Sequence, residues 1–268
     1  MPKLFKIGKI VPVHKNKDKS NVANYRPITL LVQVSKILER CFYNRLIKFI
    51  DVTQILHKRQ YGFRSKHSTS HAVVDVINYI QSALSDHHIP VGLFIDFSKA
   101  FDTVNHKILL KKLSIYGIRG LAHEWLTSYL TDRFQYTVIK NDKGENFQSS
   151  YAPSDIGVPQ GSVLGSILFI LYINDMPNVD KNLQCILFAD DTTILCHSDN
   201  TDSLNALLNT GIRKLTAWFN ANRLSLNVDK TVLMLFGKTE KKINIQKNLI
   251  DIKIGDKKIL FSDTDLNF

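Results

Sequence analysis

The run CILFADDTTILC (185–196) places two adjacent aspartates between two short apolar segments. Each segment has the length and the β-branched content of a buried strand, so Asp190 and Asp191 fall at the turn between two strands. Two like charges flanked by apolar residues repel each other and lose solvation, so they need compensation. Asp-Asp is also a common turn pair, and a plain hairpin turn stays an open alternative for this run alone.

A third aspartate, Asp96, ends the apolar run VGLFID (91–96), which predicts another buried strand. A divalent cation is the simplest compensation for clustered carboxylates, and Mg²⁺ prefers carboxylate and phosphate oxygens. Two such ions about 3.5–4 Å apart can clamp the attacking and leaving oxygens of a phosphoryl transfer. Asp96 by itself is equally well interpreted as an ordinary strand-ending residue.

The positive charge of this 268-residue chain is unevenly distributed. The net charge is +11, and residues 1–66 carry 15 Lys or Arg against 3 Asp or Glu, while the remainder carries 20 against 21. A basic block of this kind suits a polyanion such as nucleic acid, because neutralising phosphates releases counterions. A solubilising surface is the alternative.

Cysteine and histidine usage points away from disulfides and zinc. The three cysteines and nine histidines show no metal-type spacing, which predicts reduced, mostly buried thiols in an intracellular protein. The longest apolar run, residues 163–173, is far shorter than the roughly 20 residues of a membrane span, so we expect a soluble protein without a membrane partner.

Hydrophobic periodicity predicts a mixture of strands and helices. Strands are expected at 9–15, 91–96, 134–140, 146–151, 185–189, 192–196 and 232–236, with a hairpin loop at 141–144. Helices are expected from Pro27 to Phe49 and at 70–84, 103–116, 120–130, 162–173 and 202–221. This order lacks strict alternation, so it predicts an α+β fold with an antiparallel sheet.

Seven segments of the sequence resemble, in the same order, the motifs of non-LTR (LINE-type) retrotransposon reverse transcriptases. Among these, the segments are similar to those of jockey or chicken-repeat elements. They are NYRPITLL (24–31), SKILER (35–40), QYGFRSKHSTSHA (60–72), FIDFSKAFDTVNH (94–106), GVPQGSVLG (157–165), FADDT (188–192) and LSLNVDKT (224–231). The resemblance implies a right-hand polymerase with fingers and palm, the antiparallel palm sheet packed on helices. It implies a basic, fingers-like part over 1–90 and a palm-like catalytic part over 91–268, with 117–155 as a candidate return to the fingers.

By the same resemblance, the chain is an RNA-directed DNA polymerase that adds deoxynucleotides to a primer 3′-hydroxyl. Asp96, Asp190 and Asp191 are then the ligands of two Mg²⁺ ions, for which Mn²⁺ can substitute. RNA template, DNA primer and deoxynucleoside triphosphates are the implied partners. The implied location is the cytoplasm and nucleus, as a ribonucleoprotein.

Nucleotide contacts are implied at five positions. Phe101 matches the aromatic under the incoming sugar that excludes a 2′-hydroxyl, although a plain core phenylalanine is the alternative. Gln160 and Gly161 match the loop that positions the templating base and the nucleotide, with an ordinary turn as the alternative. Arg26 matches a fingers arginine that grips the triphosphate, and Lys15, one lysine of a basic run, is a weaker candidate to assist it.

Lys230 matches a lysine that protonates the departing pyrophosphate, with a surface lysine as the alternative. Template contacts are implied at Gln60, Gly62, Phe63 and Arg64, where Phe63 could stack on a base and Arg64 could meet a phosphate.

The chain departs from the family pattern in two ways. Ser166 stands where proline is usual, at the start of a helix that tolerates serine. Phe268 falls about where the primer-grip motif should begin, so we expect the thumb to be missing and processive synthesis to be poor. An RNA-directed RNA polymerase, a group II intron maturase and a non-catalytic RNA-binding remnant are the other functions considered.

Overall fold

A computed structural model describes residues 1–15, 18–141, 143–237, 250–254 and 256–261. In chain order the strands are β1 Ile7–His14, β2 Tyr25–Leu30, β3 Ile89–Ile95, β4 Phe134–Lys140, β5 Asn146–Gln148, β6 Ala152–Pro153, β7 Gln184–Phe188, β8 Asp191–Ser198, β9 Val232–Leu235, β10 Lys253–Ile254, β11 Lys257–Lys258 and β12 Leu260–Phe261. The helices are α1 Gln33–Thr53, α2 Thr69–Ser85, α3 His106–Ile115, α4 Gly120–Leu130, α5 Gly165–Tyr172 and α6 Thr201–Ala221. Asp142, in the predicted hairpin loop 141–144, and Phe268 lie outside the described residues.

The chain forms two compact units. The first unit contains Met1–Ile55 and Phe101–Tyr172, and the second contains Leu56–Ala100 and Ile173–Phe268. Each unit is a group of residues that contact one another in space. The boundaries of the fingers (1–90) and the palm (91–268) stay a prediction.

The sheet of the first unit has the order β2-β1-β4-β5, with β6 also paired to β4. β1 runs antiparallel to β2 and parallel to β4. Pro12 stands opposite Pro27, and the Lys15 N–H bonds the Asn24 carbonyl three positions along the ladder. Because bonded and non-bonded pairs alternate in an antiparallel ladder, the two prolines fall on a non-bonded pair where no N–H is needed.

The predicted helix start at Pro27 is therefore wrong. Pro27 lies within edge strand β2, and α1 begins at Gln33. The fixed φ of proline suits an extended strand as well as a first helical turn, so the residue alone cannot distinguish them. Two other predicted helices are shorter than expected: 103–116 is a 3-10 turn at Ala100–Thr103 followed by α3, and 162–173 contracts to α5.

Helices α1, α4 and α5 supply much of the core of the first unit. Phe42 of α1 stacks on Trp125 of α4 with ring centroids 4.2 Å apart, and Trp125 stacks in turn on the fully buried Tyr129. α5 is buried along nearly its whole length, which explains its apolar sequence on every side.

The sheet of the second unit has the order β12-β9-β3-β8-β7. Its ladders are antiparallel except the β12–β9 pair. Ala72 of α2 packs in one apolar cluster with Ile186 of β7 and Leu195 of β8, and α6 lies against β8. The predicted α+β class, the antiparallel sheet and the helices at 70–84, 120–130 and 202–221 are confirmed.

Among the described residues, no helix combines the length and the apolar character needed to cross a membrane.

Candidate active site

The two adjacent aspartates lie at the tip of the β7–β8 hairpin in the second unit. Phe188 pairs with Asp191 across the hairpin, so Ala189 and Asp190 form the turn between them. Ala189 is 5% exposed and adopts φ +58, a left-handed conformation that is unfavourable for a residue with a side chain. Asp190 is exposed at the turn, and Asp191 opens β8.

The third aspartate lies at the end of the neighbouring strand. β3 runs antiparallel to β8 with Ile95 opposite Thr192, so the next pair along this register sets Asp96 beside Asp191. Partial burial, then the charges of Asp190 and Asp96, raise the pKa of Asp191 above the ordinary aspartate value. The structure therefore places Asp96, Asp190 and Asp191 at the neighbouring ends of β3 and the β7–β8 hairpin, and their role as one metal site stays a prediction.

The LNVDKT segment binds to Asp96 directly. The N–H of Asn227 donates to the Asp96 carbonyl at 2.9 Å, and its Nδ2 donates to Asp96 Oδ2 at 3.1 Å. The Lys230 Nζ lies 3.2 Å from the same carboxylate oxygen. Ser98 and Phe97 pair with Ser225 and Leu226, so this segment is fixed along the chain that follows β3. Lys230 therefore lies beside Asp96, and its role as a proton donor stays a prediction.

These carboxylates suit a divalent cation in their chemistry. They are hard oxygen donors, and burial followed by the charges of Asp190 and Asp96 raises the pKa of Asp191. Across the described part of the chain, no three His, Cys, Asp or Glu side chains converge closely enough to hold a metal ion as they stand. Lys230 supplies the positive charge next to Asp96 in this arrangement.

In the first unit, the GVPQG loop is fixed on two sides. The N–H of Val158 donates to the Phe101 carbonyl at 2.8 Å, and the Gln160 carbonyl accepts from the Thr29 N–H of β2 at 2.8 Å. Gly161 has φ +115, and a Cβ there would lie 2.8 Å from the Thr29 carbonyl oxygen. Only glycine allows this loop to close against β2.

Three of the predicted nucleotide contacts line one hollow of about 190 Å³ in the first unit. Phe101, Gln160 and Gly161 form its wall together with Pro159, Ser162 and Ser166. Phe101 stacks on the buried Phe169 with ring centroids 4.7 Å apart, and Gln160 Nε2 donates to Asp102 Oδ1 at 2.9 Å. The hollow therefore presents one aromatic face and one oriented amide.

The two basic candidates lie outside the wall of this hollow. Arg26 is exposed on β2, opposite Val13 of β1. Lys15 is exposed just after β1. Both remain available to an anionic ligand, and their phosphate-binding roles stay predictions.

The predicted template segment belongs to the second unit. Phe63 is 47% exposed, and Arg64 donates from Nη1 to the carbonyls of His57 and Gln60 at 3.2 and 3.1 Å. Gln60 is fully buried, and a Cβ on Gly62 would lie 2.2 Å from the Ala189 nitrogen. The burial of Gln60 and Gly62 is at odds with the template contact predicted for them, whereas Phe63 has the exposure that stacking requires.

Sequence reasoning did not single out Asn227, Asp102 or Glu39. Glu39 is fully buried on α1, and its Oε2 accepts from the Val163 and Leu164 N–H groups at 2.8 and 3.2 Å, just before α5. The sequence did contain a signal for Glu39, because it lies on the same face of the predicted helix as the apolar Leu46 and Ile50. A carboxylate on a buried face needs hydrogen-bond donors from elsewhere in the fold.

Comparisons with known proteins identify a family for this chain. Residues 13–258 match the family model described as "Reverse transcriptase (RNA-dependent DNA polymerase)". The RNA-directed DNA polymerase from mobile element jockey of Drosophila melanogaster is 32% identical over 243 residues, which is 88% of this chain and 26% of that protein. The probable RNA-directed DNA polymerase from transposon BS of the same species is 32% identical over 86% of this chain. This chain spans about a quarter of the length of these relatives.

Solved structures show a similar fold at low sequence identity. Telomerase from Candida albicans, solved with a TWJ fragment of telomeric RNA, matches with a TM-score of 0.58 and 16% identity over 98% of this chain and 46% of that one. The apo telomerase from Candida tropicalis truncated from its C-terminal domain matches with a TM-score of 0.58 and 18% identity, over 88% of this chain and 51% of that one.

Proposed function

This chain belongs to the reverse transcriptase (RNA-dependent DNA polymerase) family, and we propose that it supplies the nucleotide-adding core of an RNA-directed DNA polymerase. The observation that carries the proposal is the placement of Asp96, Asp190 and Asp191 at adjacent strand ends, with Lys230 beside Asp96. A single carboxylate at a turn is common. Three carboxylates at neighbouring strand ends, one of them beside a lysine, provide the metal ligands and the positive charge that phosphoryl transfer uses.

Asp96, Asp190 and Asp191 would hold two Mg²⁺ ions, which would supply activation of the primer 3′-hydroxyl and compensation of the charge on the departing pyrophosphate. Asn227 orients the Asp96 carboxylate through its Nδ2 and holds the Asp96 backbone through its N–H, so the first carboxylate is positioned before any ligand arrives. The Lys230 ammonium serves as the proton donor to the leaving pyrophosphate oxygen.

We assign the hollow in the first unit to the incoming nucleotide. Phe101 would face the sugar and exclude a 2′-hydroxyl by its bulk, while the Gln160 amide, oriented by Asp102, would contact the nucleotide. Arg26 and Lys15 would meet the triphosphate. The size of the hollow, about 190 Å³, suits part of a nucleotide rather than the whole molecule.

An RNA template and a DNA primer are the proposed nucleic-acid partners. The basic charge of residues 1–66 supports a polyanionic ligand, and the jockey relative is named as an RNA-directed DNA polymerase. Phe63 and Arg64 are the proposed template contacts of the second unit. We propose the cytoplasm and nucleus, within a ribonucleoprotein, as the place of action.

Incorporation of one deoxynucleotide tests this proposal without requiring processive synthesis. A DNA primer annealed to an RNA template is mixed with excess protein, Mg²⁺ and the complementary deoxynucleotide, and extension by one residue is followed. Wild type should extend the primer, and Asp190→Asn should reduce the rate at least about 10³-fold, because it removes a charged metal ligand.

Asp199→Asn is the matched control, since Asp199 is exposed in the same unit and bonds only to neighbouring residues in the contacts of the described chain. Its rate should equal that of wild type. Binding of the primer–template by wild type with no extension would replace the polymerase proposal with the non-catalytic RNA-binding alternative.

A further inference from the structure

Gln60 is completely buried, next to the turn Ala189–Asp190 between β7 and β8, which we call the catalytic turn. Its Oε1 accepts from the Gly62 N–H at 2.9 Å and from the Ala189 N–H at 3.3 Å. Because both partners are donors, the oxygen and the nitrogen of this amide cannot exchange places. The side chain therefore joins the QYGF segment to the turn that carries Asp190, across 129 residues of sequence.

The backbone around Gln60 is attached to β7 in the same place. The Tyr61 N–H donates to the Leu187 carbonyl at 2.7 Å, and the Leu187 N–H donates to the Arg59 carbonyl at 2.9 Å. These bonds flank a parallel bridge between Gln60 and Leu187. Gly62 then passes so close to Ala189 that a Cβ would overlap its nitrogen at 2.2 Å. Residues 59–61 thus add a short bridge to the edge of the sheet at β7, and Gly62 contacts the turn at Ala189.

The turn needs such support because of its own conformation. Ala189 adopts φ +58, which residues with a side chain rarely occupy unless surrounding contacts impose it. Its N–H is also directed into the interior, where water cannot bond it, and Gln60 Oε1 is the acceptor there. The position of Asp190 and the start of β8 at Asp191 depend on this conformation.

The unused half of the Gln60 amide is informative. Its Nε2 is buried and makes no hydrogen bond within the described part of the structure. An unpaired buried donor is unfavourable, and an apolar side chain of the same size would avoid that penalty. A residue that served only to fill space would not need an amide, so the oxygen is the part of Gln60 that the fold uses.

We propose that Gln60 is a positioning residue for the proposed polymerase reaction: its amide oxygen holds Ala189 in the left-handed conformation that sets Asp190 and Asp191. The effect of Gln60 on catalysis rests on the proposed function. The claim that Gln60 holds the conformation of Ala189 does not depend on activity. It assigns Gln60 to the catalytic turn and leaves template contact to the exposed Phe63.

Amide hydrogen exchange at Ala189, measured on the full chain, tests the structural half. Gln60→Met keeps the volume and removes the acceptor, and should accelerate exchange at Ala189 about tenfold with little change elsewhere in β3 and β8. Gln60→Glu, measured near pH 4 so that burial keeps its carboxyl protonated, retains an acceptor oxygen and should keep Ala189 protected. Gln81→Met, an exposed change on α2, is the matched control and should leave Ala189 as in wild type.

Unchanged exchange at Ala189 in Gln60→Met, or an equal acceleration throughout the second unit, would overturn the inference. Should Gln60→Met fail to fold, Gln60→Glu near pH 4, where its carboxyl is neutral, decides alone: retained protection of Ala189 supports the positioning role, and lost protection refutes it.

Single-nucleotide incorporation tests the catalytic half. Gln60→Met should lower the maximal rate about tenfold or more while the KM for the deoxynucleotide stays within twofold, and Gln60→Glu should recover part of the rate. A rise in KM without a fall in rate would contradict positioning of the aspartates. If wild type itself does not incorporate nucleotide, the proposed function fails, while the exchange result at Ala189 still decides whether Gln60 holds the turn.

Discussion

The Nζ of Lys230 lies 3.2 Å from Oδ2 of Asp96, the same oxygen that accepts a hydrogen bond from Asn227. One carboxylate of the proposed metal site is thus already engaged by a cation of the protein. A divalent ion that binds Asp96 must share or displace this partner, so Lys230 is expected to oppose metal binding and to assist chemistry.

Replacing Lys230 should therefore move two measurements in opposite directions. In Lys230→Gln, Mn²⁺ followed by its paramagnetic effect on water should bind about 2–5-fold more tightly, the size expected for loss of an exposed ion pair. The rate of single-nucleotide incorporation should fall about 10²-fold, because the proton donor is lost. Lys257→Gln is the control, since Lys257 forms an exposed pair with Asp229 in the same unit at 2.8 Å. Weaker Mn²⁺ binding by Lys230→Gln would contradict the competition.

The stability of the chain should depend on pH through Asp191 with a definite sign. Its pKa is raised in the folded state by burial, Asp190 and Asp96, so the folded protein holds this proton more tightly than the unfolded chain. Stability from this group is then lost as pH rises from the ordinary aspartate value through the folded pKa. Asp191→Asn should melt no lower than wild type at pH 7, and any advantage should disappear near pH 4.

Asp180 provides the opposite case for the same experiment. The hydrogen bond from Lys214 at 2.8 Å, then that from the Asn182 N–H, holds the pKa of Asp180 below its ordinary value. Its stabilisation is present above the unfolded pKa and is lost as pH falls through the folded pKa. Asp180→Asn should therefore lower the melting temperature at pH 7 and have little effect at pH 2–3. Melting curves of both variants over this range check the pair of signs.

Phe101 should determine sugar selection if the hollow in the first unit receives the nucleotide. Phe101→Ala removes the ring that faces Phe169 and enlarges the hollow. Ribonucleotide incorporation relative to deoxynucleotide incorporation should rise at least about tenfold, as expected when a steric exclusion of 1–3 kcal/mol is lost. Phe147→Ala, at an exposed position of β5, should leave the ratio unchanged. Equal loss of both substrates would indicate a core role for Phe101.

Glu39 should contribute to stability through its buried hydrogen bonds. Glu39→Gln keeps one acceptor oxygen for the Val163 and Leu164 N–H groups but replaces the carboxylate by a neutral amide, so both buried bonds become weaker. We expect the free energy of unfolding to fall by about 2 kcal/mol, because hydrogen bonds to charged groups are worth about 1.5–3 kcal/mol each. Thermal and urea unfolding check this value. Glu124→Gln, at an exposed position of α4, is the control and should lie within about 0.5 kcal/mol of wild type.

Asp102 should act on nucleotide affinity through Gln160. Asp102→Ala removes the acceptor that holds Gln160 Nε2 at 2.9 Å, so the amide should lose its orientation in the hollow. The KM for the deoxynucleotide should rise about 10–100-fold, since a hydrogen bond to a charged group is worth about 1.5–3 kcal/mol, with a smaller change in the maximal rate. Asp102→Asn, which keeps an acceptor oxygen, should recover most of the affinity. An unchanged KM in Asp102→Ala would separate Gln160 from nucleotide binding.

Local patterns in the sequence were sufficient for much of this molecule. The apolar runs that end at Asp96 and precede Asp190 predicted β3 and β7, because a strand buried on both faces is nearly continuous in apolar residues. Helical periodicity predicted α2, α4 and α6 for a similar reason. Pro27 was misinterpreted because its dihedral angle fits two structures, and only pairing with β1 selects the strand.

The sequence by itself thus determined the α+β class, the family and the identity of the three acidic residues, since these depend on short-range pattern and on the order of motifs. Tertiary structure alone decided that Lys230 and Asn227 meet Asp96, that Glu39 caps the chain before α5, and that Gln60 lies under Ala189 rather than on the surface. The physical reason is that each of these hydrogen bonds or ion pairs joins residues more than a hundred positions apart. No local periodicity encodes such a pairing, and only the closing of the sheets brings donor and acceptor within reach.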